Sequence, residues 1–361
     1  MQIKIVTLQN FRNHARTKLE LAPGVNVLVG NNAQGKTNIL EAIYMTCVGR
    51  GFKSPRDRET IRFGQDFAKV KTTAIKKFGA INVEITISTT AGKMGKQIKI
   101  NDVPISKMGE LMGNVTCVFF SPDELKLVKE APADRRRFMD IDISQMDRVY
   151  FYNLLRYNKI LKQRNALLKN FTRTESEFRA LDIWDEELAK YGNYVIQKRI
   201  HFCEQLKSKV TDVHPILASN EKLDLSYESS VNVPRGTIAM EQSLRAARDK
   251  DLHLRTTTVG PHRDDIAMLL NGRDVRLFAS QGQQRTVALS MKIAELKIFQ
   301  ETTGEKPILL LDDVLSELDN ARQAALLKLI KGWQSVITTT SFAPHPDIKL
   351  FHVEHGSIKT V

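Results

Sequence analysis

The spacing of apolar residues predicts strands toward both ends of the chain. Apolar and polar residues alternate, as in half-buried strands, at 3–8, 67–77, 81–88 and 97–100. The last three stretches have the spacing of an antiparallel meander. Continuous apolar runs, typical of strands covered on both faces, occur at 25–29, 115–119 and 308–311. At 361 residues, the chain is long enough for roughly two domains with a buried core.

The middle of the chain has helical spacing instead. This pattern extends from 144 to 210, with a break at 170–176. Apolar residues at alternating steps of three and four form a coiled-coil-like seam: Leu181, Trp184, Leu188, Tyr191, Val195 and Phe202. We predict two long antiparallel helices that make a short arm, followed by a strand-like stretch at 221–233 and a helix at 236–255.

An eight-residue motif connects the run at 25–29 to a stretch of helical spacing. Its residues are Gly30, Asn31, Asn32, Ala33, Gln34, Gly35, Lys36 and Thr37. This is the phosphate-loop pattern G-x-x-x-x-G-K-[ST] in its strand–loop–helix setting. Backbone N–H groups and the helix N-terminus can surround a phosphate. Lys36 is suited to reach the β- and γ-phosphates and Thr37 to ligate Mg²⁺, so the sequence predicts a nucleoside triphosphate site.

Two carboxylates, Asp312 and Asp313, follow the apolar run at 308–311. Beside a phosphate loop, Asp312 would hold Mg²⁺ through water, and Asp313 would orient or deprotonate the attacking water. A polar cap on a buried strand is the alternative interpretation of the pair. Because the phosphate loop lies near the other end of the chain, the nucleotide domain must be discontinuous.

A third motif precedes a helix that extends to about residue 302. Ser280 stands where a helix N-cap is expected, so a purely structural cap is one interpretation. The stretch also resembles the signature motif of ABC-type ATPases, in which a serine hydroxyl and glycine N–H groups bind the γ-phosphate held by the opposite subunit. That resemblance implies ATP contacts from Ser280, Gln281, Gly282 and Gln283. The residues at 316–319 resemble the D-loop that comes next in ABC order.

Further stretches resemble the RecF family of SMC-like ATPases. They occur in the family's order over residues 1–340, at 10–13, 120–125, 135–140, 163–169 and 260–265. The segment 49–56 departs from the Ser-His-Arg-Thr-like segment of the family, which leaves its role open. The resemblance implies that Arg12 reaches the nucleotide phosphates. For His262 and Arg263 it suggests a place near ATP or DNA, whereas a turn packed against the head is the plainer interpretation.

The resemblance implies an α/β fold with an ABC/SMC-type P-loop ATPase head. The head would contain a mixed sheet with helices and an antiparallel β meander, and it would carry an inserted, mostly helical, coiled-coil-like arm. We predict that residues 1–125 and 256–361 form the discontinuous head. Residues 126–255 are then the inserted arm domain.

The function implied by the resemblance is that of an ATP-dependent DNA-binding clamp in recombinational repair, replication restart and SOS induction. ATP and Mg²⁺ would close a homodimer on single-stranded, gapped or double-stranded DNA, where it would help RecO and RecR to load RecA. Two alternatives are an ABC transporter ATPase subunit and a structural DNA binder that uses ATP without turnover.

Three departures from transporter-type ATPases predict slow hydrolysis, which DNA would stimulate. No clear water-coordinating glutamine is found, and Ser121 falls near its expected position. The second carboxylate is Asp313, one methylene shorter than the usual glutamate. Thr339 or Thr340 occupies the place of the switch histidine.

The charge balance favours an anionic partner. Lys plus Arg number 54 against 41 Asp plus Glu, a net charge of +13. The stretch 148–173 contains no acidic residue, and its candidate DNA contacts are Arg148, Arg156, Lys159, Lys162 and Arg164. A solvated helix face is the alternative. A second basic cluster on the meander could serve equally: Lys69, Lys71, Lys76, Lys77, Lys93, Lys96 and Lys99. Because no base-reading motif is present, we expect sequence-independent binding.

Composition also predicts a cytoplasmic protein without a membrane partner. No apolar run approaches the ~20 residues of a membrane span, and the N-terminus has a strand pattern in place of a signal peptide. Cys47, Cys117 and Cys203 lack metal-type spacing, so we expect reduced thiols.

Overall fold

The computed structural model describes residues 1–54, 56–90, 92–231, 240–343 and 346–360. The strands are β1 (Gln2–Phe11), β2 (His14–Glu20), β3 (Val25–Val29), β4 (Phe67–Lys76), β5 (Gly79–Thr90), β6 (Lys93–Ile100), β7 (Val103–Ile105), β8 (Cys117–Phe120), β9 (Leu223–Glu228), β10 (Asp265–Leu270), β11 (Arg273–Asp274), β12 (Ile308–Asp312), β13 (Ser335–Thr339), β14 (Ile348–Glu354) and β15 (Ser357–Thr360). The α-helices are α1 (Lys36–Val48), α2 (Met108–Leu111), α3 (Lys126–Lys129), α4 (Pro132–Met146), α5 (Arg148–Lys169), α6 (Glu175–Leu217), α7 (Met240–Ala246), α8 (Arg248–Leu254), α9 (Val275–Phe278), α10 (Gln281–Thr303) and α11 (Asn320–Leu329). Short 3₁₀ helices occur at Asp57–Thr60, Pro122–Leu125 and Leu315–Glu317.

The chain forms two compact units. The head unit comprises Met1–Leu125, Asp212–Asn220 and Arg285–Val361, and the arm unit comprises Lys126–Thr211 and Glu221–Gln284. This division differs from the predicted domains in two segments. Residues 256–284, predicted for the head, belong to the arm unit because β10 pairs antiparallel with β9 along its whole length. Residues 212–220, predicted for the arm, belong to the head unit, where His214 Nδ1 lies 2.8 Å from Ser290 Oγ.

Two six-stranded sheets build the head unit. One is antiparallel, in the order β2-β1-β4-β5-β6-β7, and it contains the predicted meander. The other has the order β15-β14-β3-β13-β12-β8 and is parallel except at β15. Its central strands are apolar and buried, as expected for a sheet covered on both faces.

The parallel sheet contains both of the strands that lead into the predicted nucleotide motifs. Strand β3 leads into the phosphate loop, and β12 ends at Asp312. The two strands are not direct neighbours, because β13 lies between them and pairs with both. Thr338 of β13 is therefore opposite Leu28 on one side and Asp312 on the other. Both motifs consequently lie at the carboxyl edge of the same sheet.

Helices α5 and α6 run antiparallel within the arm unit. Tyr150, near the start of α5, contacts Arg199, and Arg164, near the end of α5, contacts Asp185. Later positions on α5 therefore contact earlier positions on α6. Midway between these two contacts, a Cβ atom at Gly192 would lie 3.1 Å from Tyr157 Cε2. Successive contacts are seven residues apart on both helices, the repeat of a coiled coil. The predicted helical break is confirmed between α5 and α6.

The predicted seam residues Leu181, Leu188, Val195 and Phe202 are buried. Of the predictions for 221–255, β9, α7 and α8 are observed, whereas residues 232–239 lie outside the described part of the chain. No described helix combines the length and hydropathy needed to cross a lipid bilayer.

Candidate nucleotide site

The phosphate loop is enclosed so closely that its two glycines have no room for a side chain. A Cβ atom at Gly30 would collide with the backbone of Val353 in β14. Gly35 has a φ of +112°, and a Cβ there would lie 2.6 Å from Asn13 Oδ1. Position 35 thus needs glycine for backbone conformation and for space. The segments that contain Asn13 and Val353 therefore help to shape the loop.

Lys36 begins α1 with its side chain folded back over the loop. Its Nζ donates hydrogen bonds to the carbonyl oxygens of Gly30 (2.5 Å) and Asn31 (2.8 Å). Burial lowers the pKa of the Lys36 ammonium, and the carboxylates of Asp313 and Asp312 oppose this effect. The ammonium is therefore held at the mouth of the loop, where phosphate oxygens could replace the carbonyl partners.

Asp312 receives hydrogen bonds from two hydroxyl groups. Thr37 Oγ1 donates to Asp312 Oδ1 at 2.8 Å, and Thr338 Oγ1 donates to the same oxygen at 2.7 Å. Burial raises the pKa of Asp312, and these two hydrogen bonds oppose the rise. Thr37 and Asp312 together supply hard oxygen donors of the kind Mg²⁺ prefers.

The described residues contain no group of three or more His, Cys, Asp or Glu side chains suited to a metal ion. The oxygen pair of Thr37 and Asp312 fits Mg²⁺ bound jointly by protein, phosphates and water, as is usual for this ion. Such an ion would neutralise phosphate charge and would link the substrate to β12 and α1.

Asp313 has an unusual backbone conformation that two hydrogen bonds maintain. Its φ is +53°, a region that residues other than glycine seldom adopt. Its N–H is 3.2 Å from the Thr338 carbonyl oxygen and 2.9 Å from Thr338 Oγ1. Its Oδ1 accepts a hydrogen bond of 2.9 Å from the Ser316 hydroxyl. The side chain is thereby directed toward the cavity and tied to the segment that resembles the D-loop.

A cavity of about 150 Å³ lies over the phosphate loop. Its lining includes Lys36, Thr37, Asp313 and Thr338, together with Lys53. The motifs therefore converge on one space, which is large enough for a polyphosphate group.

Lys53 and Thr338 were missed by the sequence reasoning. Lys53 Nζ donates to Asn38 Oδ1 at 2.8 Å, and burial lowers the pKa of its ammonium. Its only signal was a basic residue in the segment 49–56, whose role was left open. Thr338 could not be found because threonines are common in strands and its contacts come from sheet register.

Arg12 is bound to α1 in this structure, and its contact with the nucleotide phosphates stays a prediction. Its guanidinium forms a two-pronged ion pair with the buried Glu41 of α1, at 2.8 and 2.9 Å. A third bond, of 2.7 Å, goes to the Glu59 carbonyl oxygen. Arg12 does not line the cavity in this structure. Its observed role is to brace α1.

Ser280 is the N-cap of α10, as the structural interpretation of this motif predicted. Its N–H donates to Gln283 Oε1 at 2.8 Å, and its Oγ accepts from the Gln283 N–H at 3.3 Å. This reciprocal pair is a capping box. Gln283 Nε2 also donates to Glu221, so its amide is engaged within the arm unit. Ser280, Gln281 and Gly282 are exposed.

The predicted DNA-contacting residues separate into two groups. Arg148, Arg156, Lys159 and Lys162 are exposed on α5. The prediction for Arg164 is wrong, because its side chain is fully buried. Its guanidinium binds Asp185 at 2.6 Å and Asp251 at 2.7 Å. Arg164 lies seven residues after Tyr157 on the face of α5 that packs inside the arm unit.

Several lysines of the second basic cluster are also engaged with other groups. Lys69 pairs with Glu84 at 3.2 Å, and Lys71 pairs with Asp102 at 3.5 Å. Lys96 pairs with Asp57 at 2.8 Å. This part of the meander therefore offers less uncompensated positive charge than its sequence indicated.

His262 and Arg263 have structural partners inside the arm unit. His262 Nδ1 lies 2.6 Å from the Tyr157 hydroxyl, and its Nε2 lies 3.0 Å from the Thr257 carbonyl oxygen. Arg263 donates to the same carbonyl. Burial lowers the pKa of His262 to about 4. The neutral ring therefore connects the 257–263 turn to α5, which agrees with the packed-turn interpretation, although the turn lies in the arm unit.

Comparisons with known proteins agree with this architecture. The family model of the RecF/RecN/SMC N-terminal domain matches residues 2–343. The DNA replication and repair protein RecF of Agathobacter rectalis is 41% identical, and the alignment covers 100% of this chain and 99% of that protein. The protein of the same name from Clostridium perfringens strain SM101 is 42% identical, with 99% and 100% covered.

Solved structures match over the whole chain as well. A structure of the recombination mediator RecF with ATP has a TM-score of 0.91 and 38% identity, covering 100% of this chain and 97% of that one. An Smc head domain from Pyrococcus furiosus has a TM-score of 0.59 and 16% identity, covering 100% and 96%, which supports the fold alone. The predicted ABC/SMC-type fold is thus confirmed. The chain belongs to the RecF/RecN/SMC N-terminal domain family, and within it to the RecF proteins.

Proposed function

We propose that this protein is an ATP-dependent DNA-binding clamp that acts in recombinational repair, replication restart and SOS induction. The observation that carries the proposal is the meeting of Thr37 and Asp312 beside the phosphate loop. Their oxygens are 2.8 Å apart and come from segments separated by 275 positions. A relative of 38% identity is described with ATP in the RecFOR pathway. The contact supports a site for a nucleotide with Mg²⁺, and the relative favours ATP as the nucleotide.

The chain's own residues supply the parts that ATP hydrolysis requires. Loop N–H groups and Lys36 hold the phosphates, and Thr37 with Asp312 would hold Mg²⁺. Asp313 accepts a proton from, or orients, the attacking water. The Ser316 hydroxyl already donates to the Asp313 carboxylate, and Thr338 holds the Asp313 backbone N–H, so the carboxylate has limited freedom to engage water. We therefore expect slow turnover that depends on a change around Ser316.

A second copy of the chain would complete the site. Ser280 caps α10, yet its hydroxyl proton is not used in the capping box and can be donated to a γ-phosphate. A Cβ atom at Gly282 would meet no atom within 4 Å, so the described structure does not itself require glycine there. A glycine that leaves the helix N-terminus open suits close approach of a phosphate. This supports a dimer in which each ATP lies between Lys36 of one copy and Ser280 of the other.

DNA would bind to the exposed face of α5. Arg156, Lys159 and Lys162 lie at three-residue steps, so their charged groups occupy one side of the helix. Lysine and arginine on one helix face can neutralise phosphates without reading bases. The pathway of the ATP-bound relative further supports RecR and RecO as partners, with RecA loaded downstream, and a place in the cytoplasm.

A structural DNA binder that uses ATP without turnover is the second candidate. It is favoured by the hydrogen bonds that restrain Asp313. A transporter ATPase subunit receives no support from the relatives, which are named as replication and repair proteins.

Sedimentation of wild type and of Asp313→Asn, with and without ATP and a gapped DNA, tests the clamp. We expect monomers without ATP and dimers with ATP, with the variant remaining dimeric after wild type has hydrolysed its ATP. DNA should raise the ATPase rate of wild type if the clamp is recycled, and it should leave the rate unchanged for the structural binder. A variant that binds ATP yet stays monomeric on DNA would refute the clamp.

A further inference from the structure

A fully exposed aromatic side chain stands at the tip of the β4–β5 hairpin in the head unit. Phe78 has 94% of its surface exposed. The Nζ atom of the preceding residue, Lys77, lies 5.5 Å from the centre of its ring. Such exposure is costly for a phenyl group in water. Single exposed aromatic residues are normal on protein surfaces, so the interpretation of Phe78 depends on the residues around it.

The hairpin tip is fixed in position by Glu305. Glu305 Oε1 accepts a 2.8 Å hydrogen bond from the Lys77 backbone N–H. Its Oε2 accepts a 2.6 Å bond from the amino group of Met1. On the other side of the hairpin, Lys76 Nζ donates to the Gly113 carbonyl oxygen at 3.0 Å. Both Glu305 oxygens are therefore engaged, and Phe78 is held out from a braced turn.

A second aromatic ring, that of the half-buried Trp333, also has a lysine beside it. Lys306, next in sequence to Glu305, has its Nζ 5.2 Å from the ring centre of Trp333. The same Nζ donates to the Gly332 carbonyl oxygen at 2.9 Å. Phe78 and Trp333 are thus connected through the adjacent residues Glu305 and Lys306. We call Lys77, Phe78, Lys306 and Trp333 the basal patch.

The basal patch is at the edge of the parallel sheet opposite to the nucleotide. Lys306 precedes β12 and Trp333 precedes β13, whereas Asp312 and Thr338 are at the carboxyl ends of those strands. Five strand residues at about 3.3 Å each put roughly 15 Å between the two edges. None of the four patch residues lines the cavity over the phosphate loop, so a ligand can reach the basal patch with or without a bound nucleotide.

The chemistry of the basal patch fits unpaired nucleic acid. Aromatic rings stack on the faces of bases, and lysines attract the connecting phosphates. A duplex hides its base faces, whereas a single strand presents them. Cores of protein interfaces are depleted in lysine, yet each ring here has a lysine beside it. Glu305 contacts the patch through the Lys77 N–H, and its ion pair with the Met1 amino group offsets the negative charge that would repel phosphates.

We propose that the basal patch is a second, ATP-independent site that binds single-stranded nucleic acid by stacking bases on Phe78 and Trp333. This site uses other residues than the DNA-binding face of α5, and the inference rests on the proposed function of binding DNA. It would give the protein separate contacts for the paired and unpaired parts of one DNA molecule.

Tryptophan fluorescence provides a direct test. The chain has two tryptophans, Trp184 and Trp333, so Trp184→Phe leaves Trp333 as the sole reporter. Titration of this variant with a 12-nucleotide oligothymidylate, without ATP, should quench the emission, and the blunt duplex of equal length should not. Adding Phe78→Ala should weaken the single-strand affinity about 5- to 150-fold, as expected for loss of one stacked base.

Phe63 provides the matched control, because it is also fully exposed in the head unit but is not part of the basal patch. Phe63→Ala should leave the affinity unchanged. The quench should also persist when Arg156, Lys159 and Lys162 are replaced by Glu. Absence of quenching, or equal losses with Phe63→Ala and Phe78→Ala, would overturn the proposal. Unchanged single-strand affinity in Phe78→Ala, together with loss of a protein partner, would reassign the patch to protein docking.

Discussion

Thr37 Oγ1 and Asp312 Oδ1 are in direct contact at 2.8 Å, although 275 positions separate them in the chain. The contact joins the start of α1 to the end of β12. The same Asp312 oxygen also accepts a bond from Thr338, in the strand between β3 and β12. Helix α1 and the parallel sheet therefore share one polar centre at the phosphate loop.

The two neighbouring aspartates should have different roles. Asp312→Asn removes the carboxylate expected to hold Mg²⁺, so we expect ATPase activity to fall at least 100-fold, as for other groups that stabilise charge in the transition state. Asp313→Asn should retain nucleotide binding and accumulate the ATP-bound state. Fluorescent-nucleotide titration with and without Mg²⁺, beside phosphate release, measures both effects. Wild-type hydrolysis by Asp313→Asn would disprove its role toward water.

Thr338 should position both aspartates. Thr338→Val removes the hydroxyl that donates to Asp312 and accepts from the Asp313 N–H. Asp312 keeps the Thr37 donor, and the Asp313 N–H keeps the Thr338 carbonyl oxygen. We therefore expect a loss of about 1 kcal/mol of unfolding free energy for each missing hydrogen bond. The substitution should also raise the Mg²⁺ concentration needed for half-maximal ATPase activity. Thr338→Ser keeps the hydroxyl and is the matched control. If Thr338→Val and Thr338→Ser needed the same Mg²⁺ concentration for half-maximal activity, Thr338 would have only a packing role.

Complementation tests the shared site. Ser280→Arg should bind ATP through its own phosphate loop but fail to dimerise, because a guanidinium would occupy the place of a small hydroxyl. Lys36→Ala should fail earlier, at nucleotide binding. A mixed dimer would have one intact site, from Lys36 of one variant and Ser280 of the other. Mixing the two proteins should therefore restore part of the ATP-dependent association and hydrolysis. If Ser280→Arg formed ATP-dependent dimers normally, Ser280 would serve only as the N-cap of α10.

Charge reversal on α5 should weaken binding to all duplex sequences alike. Replacing Arg156, Lys159 and Lys162 by Glu should reduce the slope of log affinity against log salt by roughly 0.9 for each lost phosphate contact. The same reversal at Lys69, Lys71 and Lys99 is the matched control on the meander. Equal effects of the two triple variants would argue against a specific α5 surface.

Arg164 should behave differently from its exposed neighbours on α5. Arg164→Ala leaves Asp251 buried without its cation and leaves Asp185 with Arg248 alone, so we expect a loss of about 3–5 kcal/mol in stability. Thermal unfolding would report this loss. A stable Arg164→Ala protein with weakened DNA affinity would contradict the structural assignment.

Protonation of His262 should destabilise the arm unit in acid. The folded-state pKa of about 4 is below the ordinary value of 6.5. The folded state therefore disfavours the charged ring, and stability should be lost as pH falls from about 6.5 toward 4, by up to about 3 kcal/mol. Unfolding midpoints at a series of pH values measure this loss. His262→Gln cannot protonate, so its profile should be flatter in that window, and an identical slope would exclude His262 as the source.

Local sequence patterns were sufficient to predict the class of the head and the chemistry of its nucleotide motifs. Phosphate loops depend on local backbone geometry, so Gly30, Gly35, Lys36 and Thr37 are recognisable without a structure. Strands β4 to β6 and the break between α5 and α6 were also predicted, because periodicity follows from which faces are buried. Ser280 was correctly predicted as a possible cap for the same local reason.

Tertiary structure alone decided which polar residues meet. Arg164 and Lys162 look equivalent in sequence, yet helix packing buries the first and exposes the second. Thr338 becomes part of the nucleotide site only because sheet register sets it beside Asp312. Residues 256–284 lie in the arm unit because β10 pairs with β9. Each of these outcomes depends on contacts between segments that are far apart in the chain. Such contacts produce no recognisable pattern in the local sequence.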